Sequence, residues 1–314
     1  MADVKKIATR EAYGRFLEEY GKERKDLIVM NADLSGSNKT DYFEKAFPER
    51  FVEVGISEQD MLAEAAGIAH SGHVVAASSF AMFAAGRGFE IIRNMIAHTN
   101  ANVKVCATHG GITVGEDGAT HQMSEDIAIM RAIPNMTILN PADAVSTHIL
   151  LKQLFDEYGP AYARFTRSGI PVIYDEDSDA AKNLKLGKAN VLREGTDVAI
   201  IATGLMVSAA LEAADKLAEE GISARVLDMH TIKPVDEEAI ISAAKECGHI
   251  VTAEEHSVIG GLGGAVAEVT AQKCPCRVSM VGQKDCFGGS GKPAELLAEY
   301  GMTADDIVRA AKEK

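Results

Sequence analysis

The chain has 314 residues, enough for two domains, and its 46% hydrophobic and 25% charged residues are ordinary for a globular protein with a buried core. Forty-six acidic residues against 32 basic ones leave a net charge of −14, which excludes a reader of the nucleic-acid backbone, since that needs a concentrated basic surface. No apolar run reaches 18 residues, so no membrane span is expected, and five cysteines at irregular spacing (106, 247, 274, 276 and 286) read as reduced thiols of a cytoplasmic protein.

The first predicted element is a helix over REAYGRFLEEYGKER, which leads into the buried strand LIVMNAD (27–33). FVEV then turns through a glycine into the helical stretch SEQDMLAEAAGIAHSG, with Ser57 as its N-cap and Glu58 in its first turn. Two readings of Glu58 stay open on spacing alone. It is a helix-capping acid facing the positive helix end, or a carboxylate at the mouth of a buried interface, able to relay protons. The small, apolar helix that follows predicts burial on several sides.

The next strand, HVVAASS (73–79), runs into FAMFAAGRGFEIIRN, where Phe80 and Phe83 stand one helical turn apart in a chain with 5% aromatics. They pack in the core or wall a planar ring. A further strand, NVKVCAT (102–108), ends where the loop THGGITVGEDGATHQ begins. Gly110, Gly111, Gly115 and Gly118 permit unusual backbone angles there. His109, Glu116, Asp117, His121 and Gln122 offer donors and acceptors that suit either a polyhydroxylated ligand or a metal. After YARFTR (162–167), the strand–helix alternation implies a parallel sheet covered on both faces. Ligands of such sheets lie at the carboxyl ends of strands, which places Asp33, Ser78, Thr108 and Arg167 on a candidate rim.

The polar stretch YDEDSDAAKNLKLGKA (174–189) reads as a linker, dividing a domain at 1–178 from one at 190–314, with 179–189 between them. Strands over DVAIIATG, ISARVLDMH, GHIVTAEEH and RVSMVG, separated by helices, build the second α/β unit. Two glycine-rich stretches do not read as phosphate loops. GGLGGAVAE (260–268) has Val266 where the dinucleotide fingerprint needs its last glycine, and GGSGKP (288–293) lacks the first glycine and the hydroxyl of a P-loop.

GISEQDM, FAMF, THGGITVGEDGATHQ with the following RAIPNMTILNPAD, NADLSGSN and HTIKPVD occur in an order that resembles the transketolase family of thiamine diphosphate enzymes. The resemblance covers essentially the whole chain. It implies an α/β protein of two three-layer αβα domains: a thiamine-diphosphate pyrimidine-binding domain with a parallel sheet, then a transketolase C-terminal-like domain. The family's diphosphate domain and its GDG…N metal motif have no match, so the chain resembles the C-terminal subunit of a split transketolase. A separate N-terminal subunit would then carry the diphosphate and Mg²⁺ (or Ca²⁺), with no metal ligand on this chain. Self-association through pyrimidine domains would give α2β2.

What the resemblance implies for residues is specific. Glu58 would hydrogen-bond the cofactor's pyrimidine and activate it, Phe80 and Phe83 would flank that ring, and Leu34, beside Asp33, would prop the bent cofactor. His109, Asp117 and His121 would hold sugar hydroxyls, with His109 and His121 joining Glu58 in catalysis. Arg10, Ser37 and Arg167 match sugar-phosphate contacts. The implied reaction moves a two-carbon ketol unit from a ketose phosphate to an aldose phosphate, as in the pentose phosphate pathway. Alternatives are an unusual branched or sulfonated sugar, a 1-deoxyxylulose-5-phosphate synthase-like enzyme, a 2-oxo acid dehydrogenase β subunit, or a non-catalytic scaffold. Gly86, Gly110, Ser57 and Ala119 depart from the family pattern, and specificity is where those departures bear.

Overall fold

A computed structural model describes residues 5–313. The first unit is built on a seven-stranded sheet. Its order is Thr231–Lys233, Thr137–Leu139, Ala161–Phe165, Val103–Thr108, Val74–Phe80, Leu27–Asn31, Phe51–Glu53. Every neighbouring pair is parallel except the first, which is antiparallel. All residues of Val74–Phe80 and Val103–Thr108 are buried, as expected of central strands sandwiched between helices. Tyr13, Phe16, Leu17 and Tyr20 of helix Thr9–Glu23 pack on one face with Leu150, Leu151, Leu154 and Phe155 of helix Ala144–Asp156. The other face is closed by Met61, Leu62, Ala65 and Ala66 of helix Glu58–His70, with Ile92, Ile96, Ile127 and Met130.

The second unit has five strands in the order Arg277–Gln283, His249–Ser257, Val198–Ala202, Ala224–Asp228, Asn190–Arg193. The first four run parallel and Asn190–Arg193 is an antiparallel edge. Helices Met206–Glu219 and Ala304–Lys312 cover one face, and Glu237–Cys247 and Leu262–Lys273 the other. Both units are therefore three-layer αβα sandwiches, as expected.

Three local expectations change. Ser57 stands at the N-cap position, but its hydroxyl donates to Val54 O at 2.9 Å and caps no helix N–H. Helix Glu58–His70 buries one face only; Asp60, Glu64 and Gly67 are exposed, because its other side has no neighbour in the single chain. The stretch 174–189 is polar in composition yet pinned. Tyr174, Ala181 and Leu184 are buried, the Tyr174 hydroxyl donates to Asp228 at 2.8 Å, and Gln153 donates to Leu184 O at 2.9 Å. A one-turn helix Asp179–Lys182, capped by Ser178, lies within it. The units are also laced by Thr231–Lys233, which leaves the second to join the first unit's sheet.

Candidate active site

Strand register brings the site together. Phe80 pairs with Thr108, and Thr108 with Phe165, so three neighbouring strands end level and the segments after them share one crevice. Phe80 is the last residue of its strand and Phe83 lies in the π-helical turn Met82–Arg87, so the pair does not sit on one helical face as the spacing suggested. The rings still stack, 5.7 Å apart and 17° from parallel. Phe80 also stacks on His109 at 3.8 Å, and Phe83 meets the His121 ring edge-on at 5.5 Å. Four rings thus run His109–Phe80–Phe83–His121.

His109 has φ 60°, and its Nδ1 is 2.8 Å from the Thr108 hydroxyl. That hydroxyl spends its proton on Asn38 Oδ1 at 2.6 Å, so it can only accept from the imidazole. Nδ1 is therefore the protonated nitrogen, and Nε2 faces Arg10 Nη1 at 3.3 Å as an acceptor. Burial lowers the His109 pKa to about 3, with Arg10, Arg167 and His121 adding repulsion. The ring is neutral at working pH, and its one lone pair, on Nε2, faces the Arg10 guanidinium.

Arg10 donates to the backbone carbonyl of Ser37 at 2.8 Å, so this contact does not use the Ser37 hydroxyl. Arg167 donates to Val114 O at 2.7 Å and pairs with Glu116 at 3.2 Å. Glu116 and Gln122, which offered recognition groups in the sequence, brace the loop instead. Gln122 Nε2 donates to Ile112 O at 3.2 Å and Gly289 O at 2.9 Å. Asp117 lies on the same loop and is exposed; His121 is half-buried with Nδ1 3.0 Å from the Thr120 hydroxyl. Among the described residues no three of His, Cys, Asp and Glu are grouped to hold a metal ion.

Glu58 is 4% exposed at the start of its helix. Arg87 Nη1 lies 3.2 and 3.0 Å from its two carboxylate oxygens, and the same guanidinium lies 4.4 Å over the Phe83 ring. Sequence reasoning missed Arg87, although a lone charge in the small, apolar run FAAGRGF was a signal. It also missed Glu53, whose Oε1 accepts both Asp33 N–H at 2.7 Å and Gly55 N–H at 2.9 Å. That one carboxylate ties the turn carrying Asp33 and Leu34 to the turn leading into Glu58. Leu34 is half-buried and its N–H donates to Asn31 at 2.7 Å. Asp33 is exposed with φ 59°.

A mostly parallel sheet whose strand ends gather two stacked phenylalanines, two histidines and two arginines, joined to a second α/β unit, sets the class of two-domain α/β protein to which the chain belongs. Residues 5–172 match the family model described as transketolase, pyrimidine binding domain, and residues 187–307 match transketolase, C-terminal domain. The chain belongs to the transketolase family, whose members generally use thiamine diphosphate. It is 49% identical over 306 residues to a Methanocaldococcus jannaschii protein described as a transketolase C-terminal section, covering 97% of this chain and 95% of that one. It is 41% identical over 304 residues to a 6-deoxy-6-sulfo-D-fructose transketolase subunit of a Clostridium species, covering 97% and 93%. A solved structure described as a split gene transketolase, inactive beta4 tetramer, superposes with TM-score 0.90 at 50% identity, covering 98% of this chain and 97% of that one.

Proposed function

We propose that the chain is the C-terminal subunit of a split transketolase, completed by an N-terminal subunit that binds the cofactor's diphosphate and Mg²⁺ (or Ca²⁺). The near-complete mutual coverage with a C-terminal section and with a split-gene structure supports the division. The ring row joining the neutral His109 to the neighbourhood of Glu58 carries the catalytic reading.

The residues fit thiamine diphosphate. A buried carboxylate whose one hydrogen-bond partner among the described residues is the half-exposed Arg87 stands ready for a ring nitrogen, beside an aromatic face. Glu58 would hold the pyrimidine, Phe80 and Phe83 would flank it, and Asp33 and Leu34 would border the rest. Thiamine diphosphate supplies the electron sink for carbon–carbon cleavage that no side chain provides. If a bound sugar phosphate draws the Arg10 guanidinium away from His109 Nε2, that nitrogen would accept a hydrogen bond from a sugar hydroxyl, with His121 and Asp117 on the same loop. Arg10, Arg167 and the Ser37 segment would hold the anionic end of a sugar phosphate, for which a guanidinium fork is suited.

The reaction is transfer of a two-carbon ketol unit from a ketose phosphate to an aldose phosphate, in the cytoplasm. Ile56, 75% exposed just ahead of Glu58, and the uncovered side of helix Glu58–His70 support a chain-to-chain contact there and an α2β2 assembly. A sulfonated ketose is the second reading, favoured by the relative described as a 6-deoxy-6-sulfo-D-fructose transketolase subunit, since a sulfonate presents the same arginines with a similar anion. The test is a coupled assay of the reconstituted pair, with thiamine diphosphate and Mg²⁺, against ketose 5- and 6-phosphates and a 6-sulfo ketose. Turnover of a ketose phosphate is expected; turnover of the sulfonated sugar alone moves the reading to the second, and no ketol transfer from either overturns both.

A further inference from the structure

In the loop that carries His109 and His121, Gly111, Gly115 and Gly118 all have positive φ, at 81°, 85° and 74°, and short 3-10 turns over Ile112–Asp117 break at Gly115. The second unit grips this loop in two places. On one side Gln122 donates to Gly289 O, a Cβ on Gly118 would strike the Ser290 hydroxyl, and one on Gly115 would lie 3.3 Å from Gly291 O. The glycine-rich stretch 288–293, which is no phosphate loop, is thus a seat for the loop.

On the other side is Glu255, in strand His249–Ser257 and 2% exposed. Its Oε1 accepts the Thr113 N–H at 2.6 Å, across 142 residues of sequence. The same carboxylate fills the space where Gly111 would carry a Cβ, so the backbone two residues after His109 lies directly against it. Arg164 approaches Oε2 at 3.8 Å, and its Nη2 donates to Glu255 O at 2.9 Å while its Nε pairs with buried Asp126 at 2.8 Å. Oε2 has no hydrogen bond among the described residues. Burial pushes the Glu255 carboxyl up, with Arg164 and the Thr113 N–H opposing. A buried, half-satisfied carboxylate is a costly way to fasten two domains, and an apolar side chain of the same volume is often as stable or better.

We infer that Glu255 of the second domain is a positioning residue for sugar binding, setting through Thr113 and Gly111 where His109 stands. The inference rests on reading this loop as the sugar site. Among the described residues no hydrogen bond or ion pair joins Glu255 to His109 or Glu58; its partners are the Thr113 N–H and Arg164.

The experiment compares Glu255→Met, Glu255→Asp and Glu255→Gln. Met keeps the volume and loses the acceptor, Asp draws it back by one methylene, and Gln keeps it. In the reconstituted complex, Met is expected to raise the KM for ketose phosphate about tenfold or more, the consequence of one lost buried acceptor. Asp is expected to raise it by less, and Gln to stay within about threefold of wild type. Exchange of the cofactor's C2 proton, which needs Glu58 and no sugar, stays at the wild-type rate in all three. The imidazole NMR signals of His109 in the chain alone shift with Met and Asp but not with Gln. That readout holds even if the sugar reading fails: a wild-type complex that transfers no ketol unit overturns the function, whereas an unmoved His109 signal in Met and Asp overturns the positioning. An unchanged KM in Met, or C2 exchange lost along with turnover, would also overturn it, and if Met does not fold, Asp decides alone.

Discussion

At the scale of single residues, the protonation of His109 is settled by its neighbours. Thr108 has one proton and gives it to Asn38, which leaves the imidazole to donate from Nδ1 and to accept at Nε2. Nitrogen-resolved NMR at pH 6 should show a neutral ring with the proton on Nδ1; a doubly protonated ring would contradict this assignment. The linkage has a definite sign. Below the ordinary histidine value of 6.5 the unfolded chain takes up a proton that the folded chain refuses until about pH 3. His109 therefore makes stability fall as pH drops through that window. His109 and Glu58 were visible in the sequence because each closes a recognisable strand–turn pattern. Arg87 showed only as a lone charge in an apolar run and Glu255 not at all, because their partners are distant in sequence: Glu58 is 29 residues away and Thr113 is 142.

At the scale of elements, hydrophobic patterning located the central strands to within a residue or two, since fully buried parallel strands are short, continuous apolar runs, but it gave no strand at Thr137–Leu139 or Asn190–Arg193. It misjudged elements whose role depends on tertiary contacts. The polar composition of 174–189 hides three buried residues, because its charges point outward while Tyr174, Ala181 and Leu184 point in. Tyr174 meets Asp228 at the carboxyl end of strand Ala224–Asp228. Burial raises the Asp228 pKa to about 7, with Asp143 adding to the rise and the Tyr174 hydrogen bond opposing it. The folded state then keeps a proton that the unfolded state has lost, so this group lowers stability as pH rises from about 4 to about 7. Asp228→Asn removes the titration and retains an acceptor for Tyr174. Its Tm relative to wild type should climb by about 5 °C between pH 5 and pH 8. A difference that does not change with pH would show that Asp228 is already ionised at pH 5.

At the scale of the whole molecule, two sandwiches share one loop, that of His109 and His121. The first supplies Glu58, the aromatic pair, the histidines and the arginines. The second lends a strand, Thr231–Lys233, to the first unit's sheet and seats the loop of His109 and His121 with Glu255 and the 288–293 stretch. Two-domain α/β architecture was legible from the alternation of strands and helices. The lacing was not, because a three-residue edge strand carries no periodicity to read. The uncovered side of helix Glu58–His70 and the exposed Ile56 leave the carboxylate at an open border of the chain. The most direct test of the proposed division of labour is exchange of the thiamine diphosphate C2 proton, measured with Mg²⁺ on this chain alone, on the N-terminal subunit alone, on the two mixed, and on the mixture with Glu58→Gln. Rapid exchange is predicted for the wild-type mixture and for no other sample. Rapid exchange by either chain alone, or a wild-type rate in the Glu58→Gln mixture, would contradict it.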